Sequence, residues 1–145
     1  MKVGHVGINV NNMEKSKDFY IKLFGFDVIF EETLEDKKYI FLGHNGEIVI
    51  TLWEQSNKSF SNNTAGLHHL AFIVDSADEL KAFVKKLEDN KVTKIYNGIV
   101  SHCEGANSGG VFFLDPDGVR LEVCIAEGIE NCNPDVKDHS SCGFF

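Results

Sequence analysis

His5, His69 and Glu122 are residues whose types and spacing could hold a metal ion. Two imidazoles and a carboxylate form a facial set that leaves coordination positions open for water or substrate. Open positions suit a catalytic ion, whereas a structural site is closed by protein ligands. Such an ion acts as a Lewis acid, or binds and activates oxygen if it is iron. The two histidines stand at matching places in a repeat. His5 lies at the head of GHVGINVNNMEKSKDFYIKLFGFDVIF, and His69, 64 residues on, lies at the head of HHLAFIVDSADELKAFVKKLEDNKVTKI. At the same offset Val10 meets Val74, Phe19 meets Phe83, Leu23 meets Leu87 and Val28 meets Val92. Internal self-similarity of this kind signals two copies of one structural unit.

The elements that must position these residues follow from local pattern. Val6, Ile8 and Val10 alternate with His5, Gly7 and Asn9, the period of a half-buried strand. Asn12 is suited to cap a helix that carries Phe19, Tyr20, Leu23 and Phe24 and stops at Gly25. Strands are predicted at 26–32, 39–43 and 47–53, with Asp36-Lys37-Lys38 and His44-Asn45-Gly46 as turns. The second copy repeats the order. Leu70, Phe72 and Val74 alternate with His69, Ala71 and Ile73. Ser76 and Glu79 form a capping box for a helix bearing Leu80, Phe83, Val84 and Leu87. Strands are predicted at 93–96, 110–114 and 119–125, the last two joined by the turn Asp115-Pro116-Asp117-Gly118. The expected fold is α+β, two tandem β-α-β-β-β modules forming a concave, partly closed mixed sheet around a metal site. A single domain over 1–126 comprises module one (3–54), a polar linker (55–66) and module two (67–126), followed by a tail (127–145).

Parity then assigns faces. If Val6, Ile8 and Val10 cover the helix, His5 and Asn9 face the concave surface. If Leu70 and Phe72 cover the helix, His69 faces the concavity. In the last strand Leu121, Val123 and Ile125 take the helix side, so Arg120, Glu122 and Cys124 face the other way. Three potential ligands from different strands thus share one kind of surface.

Composition bounds the function. The chain has 145 residues and a net charge of −8, which argues against nucleic acid or an anionic membrane as partner. No apolar stretch approaches the roughly 18 residues needed to span a bilayer. Met1–His5 run into strand-like sequence without an apolar leader, so the cytoplasm is the expected location. Cys103, Cys124, Cys132 and Cys142 include no CxxC pair and are expected as free thiols.

The two β-α-β-β-β copies, with Phe113-x-Asp115-Pro116-Asp117-Gly118-x-x-x-Glu122 and two strand-opening histidines, resemble the vicinal oxygen chelate superfamily over residues 3–126. That superfamily includes glyoxalase I, methylmalonyl-CoA epimerase, extradiol dioxygenases, and fosfomycin- and bleomycin-resistance proteins. The resemblance implies one divalent ion (Zn, Ni, Mn, Co or Fe) on His5, His69 and Glu122. It also implies a small substrate that chelates the ion through vicinal oxygens, and a homodimer. Glyoxalase I and the epimerase use a fourth ligand in the last strand of module one, and that position falls on Thr51, a poor ligand. The remaining set resembles the dioxygenases and the fosfomycin-modifying enzymes. The first expectation is therefore glyoxalase-like isomerase, lyase or epoxide-opening chemistry. The alternatives are an extradiol-type Fe(II) dioxygenase and an antibiotic-binding resistance protein without catalysis.

Thr51 and Glu54 are the candidate catalytic positions, with either Glu54 or Glu47, which flank the Thr51 strand, as a general base; Asn9, Trp53, Arg120 and Cys124 are candidates for substrate contact. The glycine-rich run from Gly105 to Gly110, preceded by His102, Cys103 and Glu104, could present backbone N–H groups to an anion. The tail carries Cys132, His139 and Cys142, and could fold over the pocket or dock through Phe144 and Phe145.

Overall fold

The computed structural model describes residues 1–103 and 105–129; the proposed roles of Cys132, His139, Cys142, Phe144 and Phe145 lie outside them. Among the described residues there are two helices and eight strands, and the strands form two mixed four-stranded sheets. The described residues divide into two compact units: Met1–Asn62 with Asp115–Gly118, and Asn63–Leu114 with Val119–Ile129.

The first unit contains β1 (Val6–Val10), α1 (Met13–Phe24), β2 (Asp27–Leu34), β3 (Lys37–His44) and β4 (Glu47–Glu54). Its strand order is β1-β4-β3-β2, with β1 parallel to β4 and the other pairs antiparallel. Asn12 caps α1, its side chain accepting from Lys15 N at 2.9 Å, and Gly25 ends the helix at a left-handed φ of 69°. Ile8 pairs with Leu52, Leu52 with Ile40, and Ile50 with Leu42, so one face of the sheet is apolar. That face is fully buried with Tyr20 and Leu23 of α1, each large side chain contributing about 1.5–3 kcal/mol on burial. The first turn is tighter than the one expected at Asp36-Lys37-Lys38. It occupies Glu35 and Asp36, with Glu35 at φ 58°, and Lys37 already belongs to β3. The second turn is likewise one residue tighter than His44-Asn45-Gly46: His44 still belongs to β3, and Asn45 and Gly46 both take positive φ, as a two-residue hairpin requires.

The Asp115–Gly118 turn joins β7 (Gly109–Leu114) to β8 (Arg120–Ile125) along the chain, yet its partners are in the first unit. The buried Tyr20 hydroxyl donates to Asp115 Oδ2 at 3.0 Å, and Asn11 Nδ2 donates to Asp117 Oδ1 at 2.7 Å. The turn motif is therefore also a side-chain anchor for α1.

The second unit contains β5 (Leu70–Ile73), α2 (Ala77–Asp89), β6 (Val100–Ser101), β7 and β8, in the order β5-β8-β7-β6. Ser76 accepts from Glu79 N at 3.2 Å, whereas the Glu79 carboxylate reaches Asp75 N, one residue beyond the reciprocal bond of a capping box. Leu80, Phe83 and Leu87 of α2 are buried with Val111, Phe113, Leu121, Val123 and Ile125. The strand expected at 93–96 is a single bridge, Lys94 with Phe113, and the edge strand lies later, at Val100–Ser101. Backbone bonds from Ile95 N to Phe112 O and Leu114 N to Thr93 O tie the earlier segment to β7. Lys91 and Gly98 at positive φ bend the chain out of a regular ladder on either side. Among the described residues no helix is long and apolar enough to cross a membrane.

Candidate metal centre

Glu122 lies in the middle of β8, beside Ala71 of β5 and Phe112 of β7. Alternation along β8 sends Leu121 and Val123 into the α2 core and puts Arg120, Glu122 and Cys124 on the opposite face. Glu122 is only 3% exposed. Its carboxylate sits between two imidazoles, with Oε2 3.3 Å from His69 Nε2 and Oε1 2.7 Å from His102 Nε2. His69 immediately precedes β5; His102 follows β6, in the hairpin leading to β7, where its Nδ1 lies 3.0 Å from Ser108 Oγ. His102, Glu122 and Cys124 offer ligand atoms that all lie within 4.8 Å of one another.

The cluster extends beyond the carboxylate. His68 Nδ1 lies 2.8 Å from His69 Nδ1, and His68 Nε2 lies 3.5 Å from the Arg120 guanidinium, which can only donate. His102 is contacted on both ring nitrogens, by Glu122 through Nε2 and by Ser108 through Nδ1. Burial lowers the proton affinity of His69 below the ordinary value; the Glu122 charge opposes this, and neighbouring His68 reinforces it. Burial, with the adjacent Glu122 charge, pushes the Cys124 thiol up to about 11. Cys103 and Cys124 are both free thiols.

Of the residues singled out from sequence, Glu122, His69, Arg120 and Cys124 fall in this one neighbourhood of the second unit. His5 is exposed, directly before β1, in the first unit. Thr51 and Trp53 occupy the open face of the first sheet. Thr51 is buried and accepts from Trp53 Nε1 at 3.0 Å, and the Trp53 ring stacks on Tyr39 at 5.0 Å. Gly7 pairs with Thr51 and leaves the face open; a Cβ there would touch Thr51 Oγ1 at 3.4 Å. Asn9 accepts from Gln55 Nε2 at 2.8 Å. The Glu54 carboxylate accepts from Met13 N, at the start of α1, where helix polarity favours an anion.

His102 was not assigned a role from sequence. It has no counterpart in the repeat and sits in a hairpin rather than on an alternating strand, so neither periodicity nor parity points to it. The one available cue is its place just before the glycine-rich run. That run does not form an anion cradle at its end: Gly109 and Gly110 begin β7. A Cβ on Gly110 would lie 2.6 Å from Val123 O and 2.9 Å from Glu122 Oε1. The missing side chain makes room for the carboxylate.

The Glyoxalase/Bleomycin resistance protein/Dioxygenase superfamily pattern matches residues 2–123, and the chain belongs to that family. It is 31% identical over 122 residues to a trivalent organoarsenical cleaving enzyme of Bacillus sp. (strain MD1), covering 84% of this chain and 71% of that protein. It is 29% identical over 121 residues to the metallothiol transferase FosB of Staphylococcus haemolyticus, covering 83% and 81%. A glyoxylase/bleomycin resistance protein/dioxygenase domain from Frankia sp. EAN1pec has the same fold, with a TM-score of 0.76 at 18% identity over 88% of this chain and 98% of that one.

Proposed function

We propose that this protein is a metal-dependent enzyme that uses His5, His69 and Glu122 to hold one divalent ion and acts on a small substrate through two neighbouring oxygens. The observation that carries this reading is the convergence of His69 Nε2 and a nearly inaccessible Glu122 carboxylate, 3.3 Å apart. A buried carboxylate facing two imidazole nitrogens offers oxygen and nitrogen donors to a common ion, and this donor set fits a Zn-, Ni-, Mn-, Co- or Fe-class ion. Bound there, the ion would polarise the substrate oxygens as a Lewis acid.

The chain's own groups have separate tasks in this reading. Glu122 and His69 bind, with the His68–His69 contact orienting the His69 ring. Arg120 supplies positive charge on the Glu122 face, where an anionic substrate group would be drawn. Asn9 and Trp53 contribute polar and aromatic contacts, and Cys124 a half-buried edge to the substrate site. Thr51 positions the Trp53 ring, and Glu54 anchors the start of α1. The reaction class is isomerisation, elimination or opening of a strained ring. The similarity to proteins named for organoarsenical cleavage and metallothiol transfer supports bond-breaking chemistry on small molecules. The protein acts as a homodimer in the cytoplasm.

Metal analysis of protein purified without chelator should find about one ion per chain. Glu122→Gln should lower that occupancy at least about tenfold, and His5→Ala and Glu122→Gln should each abolish thiol addition to a small epoxide. Unchanged occupancy in Glu122→Gln, or unchanged activity in His5→Ala, refutes the ligand set. Oxygen uptake with catechols in place of epoxide opening would move the assignment to the dioxygenases. One observation favours sequestration without catalysis: the open aromatic face of Phe30, Tyr39, Phe41 and Trp53, where Phe30 is 45% and Trp53 37% exposed. Ligand binding undiminished in His69→Ala would establish that reading.

A further inference from the structure

The face of β8 that carries Glu122 also carries a sulfur donor. We propose that His102, Glu122 and Cys124 form a mixed nitrogen–oxygen–sulfur site for one thiophilic divalent ion of the zinc class. The site is complete within the second unit, needs no contribution from His5, and shares Glu122 with the ligand set proposed above.

Three observations converge on it. The ligand atoms lie within 4.8 Å of one another, with His102 Nε2 and Glu122 Oε1 at 2.7 Å. Nitrogen, oxygen and sulfur donors on a tetrahedral zinc-class ion lie about 3.3–3.8 Å apart, so small side-chain movements bring this set to bonding geometry. The set is also braced. Glu122 and Cys124 are two residues apart on one strand and so share a face, and His102 is held through its other nitrogen by Ser108 at 3.0 Å. The serine hydroxyl donates or accepts, so it supports either imidazole tautomer.

The third observation is the space between the donors. Gly110 lies opposite Cys124 in the β7–β8 register. A Cβ on Gly110 would sit 2.9 Å from both Cys124 Cβ and Glu122 Oε1. The absent side chain leaves the carboxylate and the thiol facing one small volume. Cys124 is a free thiol and only partly exposed. Its sulfur favours Zn(II) or Co(II) over hard ions such as Mg(II). On binding, the thiol proton passes to solvent as the sulfur–metal bond forms, and His69 or a water completes the coordination.

The test is titration of the metal-free full-length chain with Co(II), in the absence of oxygen and of thiol reductants. The expected result is near-ultraviolet sulfur-to-metal charge-transfer absorption saturating at one ion per chain. Cys124→Ser and Cys124→Ala should abolish it, and His102→Ala should weaken binding at least about tenfold. Circular dichroism checks the fold of each variant, and the two Cys124 variants guard against misfolding of one. His5→Ala should retain the absorption. Absence of the band in the parent chain overturns the proposal. So does its persistence without Cys124, which would place the sulfur on Cys103, Cys132 or Cys142, or unchanged affinity in His102→Ala. Cobalt binding lost in His5→Ala but kept in Cys124→Ser would refute this site and leave the His5 set standing. The opposite pattern would establish this site whatever the fate of the proposed activity.

Discussion

Glu122 organises the site residue by residue. Its carboxylate is buried, faces imidazoles on both oxygens, and depends on a glycine across the strand for its space. The sign of one titration follows directly. Burial lowers the proton affinity of His69 in the folded chain, while in the unfolded chain the imidazole titrates near its ordinary value of about 6.5. Below that pH the unfolded chain takes up more protons than the folded one, so acid destabilises the fold through this group. The stability contribution is therefore present above about pH 6.5 and lost as pH falls through the lowered folded-state value. Urea unfolding of metal-free protein should show a midpoint that drops between about pH 7.5 and 5.5, spanning the ordinary histidine range, with a smaller drop in His69→Gln. An equal drop in that variant would assign the effect to other groups.

The elements are held by backbone geometry as much as by apolar patterning. Gly43 and Gly46 make the contrast within one hairpin. A Cβ on Gly43 would lie 1.8 Å from the backbone oxygen of Glu47, at the register shift between β3 and β4. Around Gly46 the space is open, and only its positive φ of 80° disfavours a side chain. Gly43→Ala should therefore cost about 3 kcal/mol through overpacking, and Gly46→Ala about 1 kcal/mol through the left-handed backbone. Equilibrium denaturation of the two variants checks the order; equal losses would mean that the hairpin relaxes around the new methyl. Both helices and most strands were legible because cap residues and alternation act locally: Asn12, Gly25 and Ser76 mark ends that depend on neighbouring backbone groups alone. The strand expected at 93–96 failed for the complementary reason. Its apolar residues pack against Phe112 without a continuous ladder, and whether a ladder forms depends on a partner strand, not on side-chain pattern.

For the whole molecule, each four-stranded sheet leaves edge strands, β1 and β2 in one, β5 and β6 in the other, and exposed edges invite pairing between chains. Sedimentation of the full chain should give twice the 16.2 kDa monomer mass; a monomer alone would end the dimer proposal. The repeat by itself determined the order of elements and the strands on which to look for ligands, because period and parity are properties of consecutive residues. It also determined that Glu122 shares a face with Arg120 and Cys124. Tertiary structure decided what lies across from that face. His102 reaches Glu122 from beyond β6, the strand on the far side of β7 from β8, and Gly110 of β7 proves to be room for a carboxylate, not a flexible loop. The Asp115–Gly118 turn likewise ends up holding Tyr20 and Asn11, some hundred residues away in sequence. Contacts between distant residues depend on how sheets and hairpins close in space, and no local pattern encodes that distance.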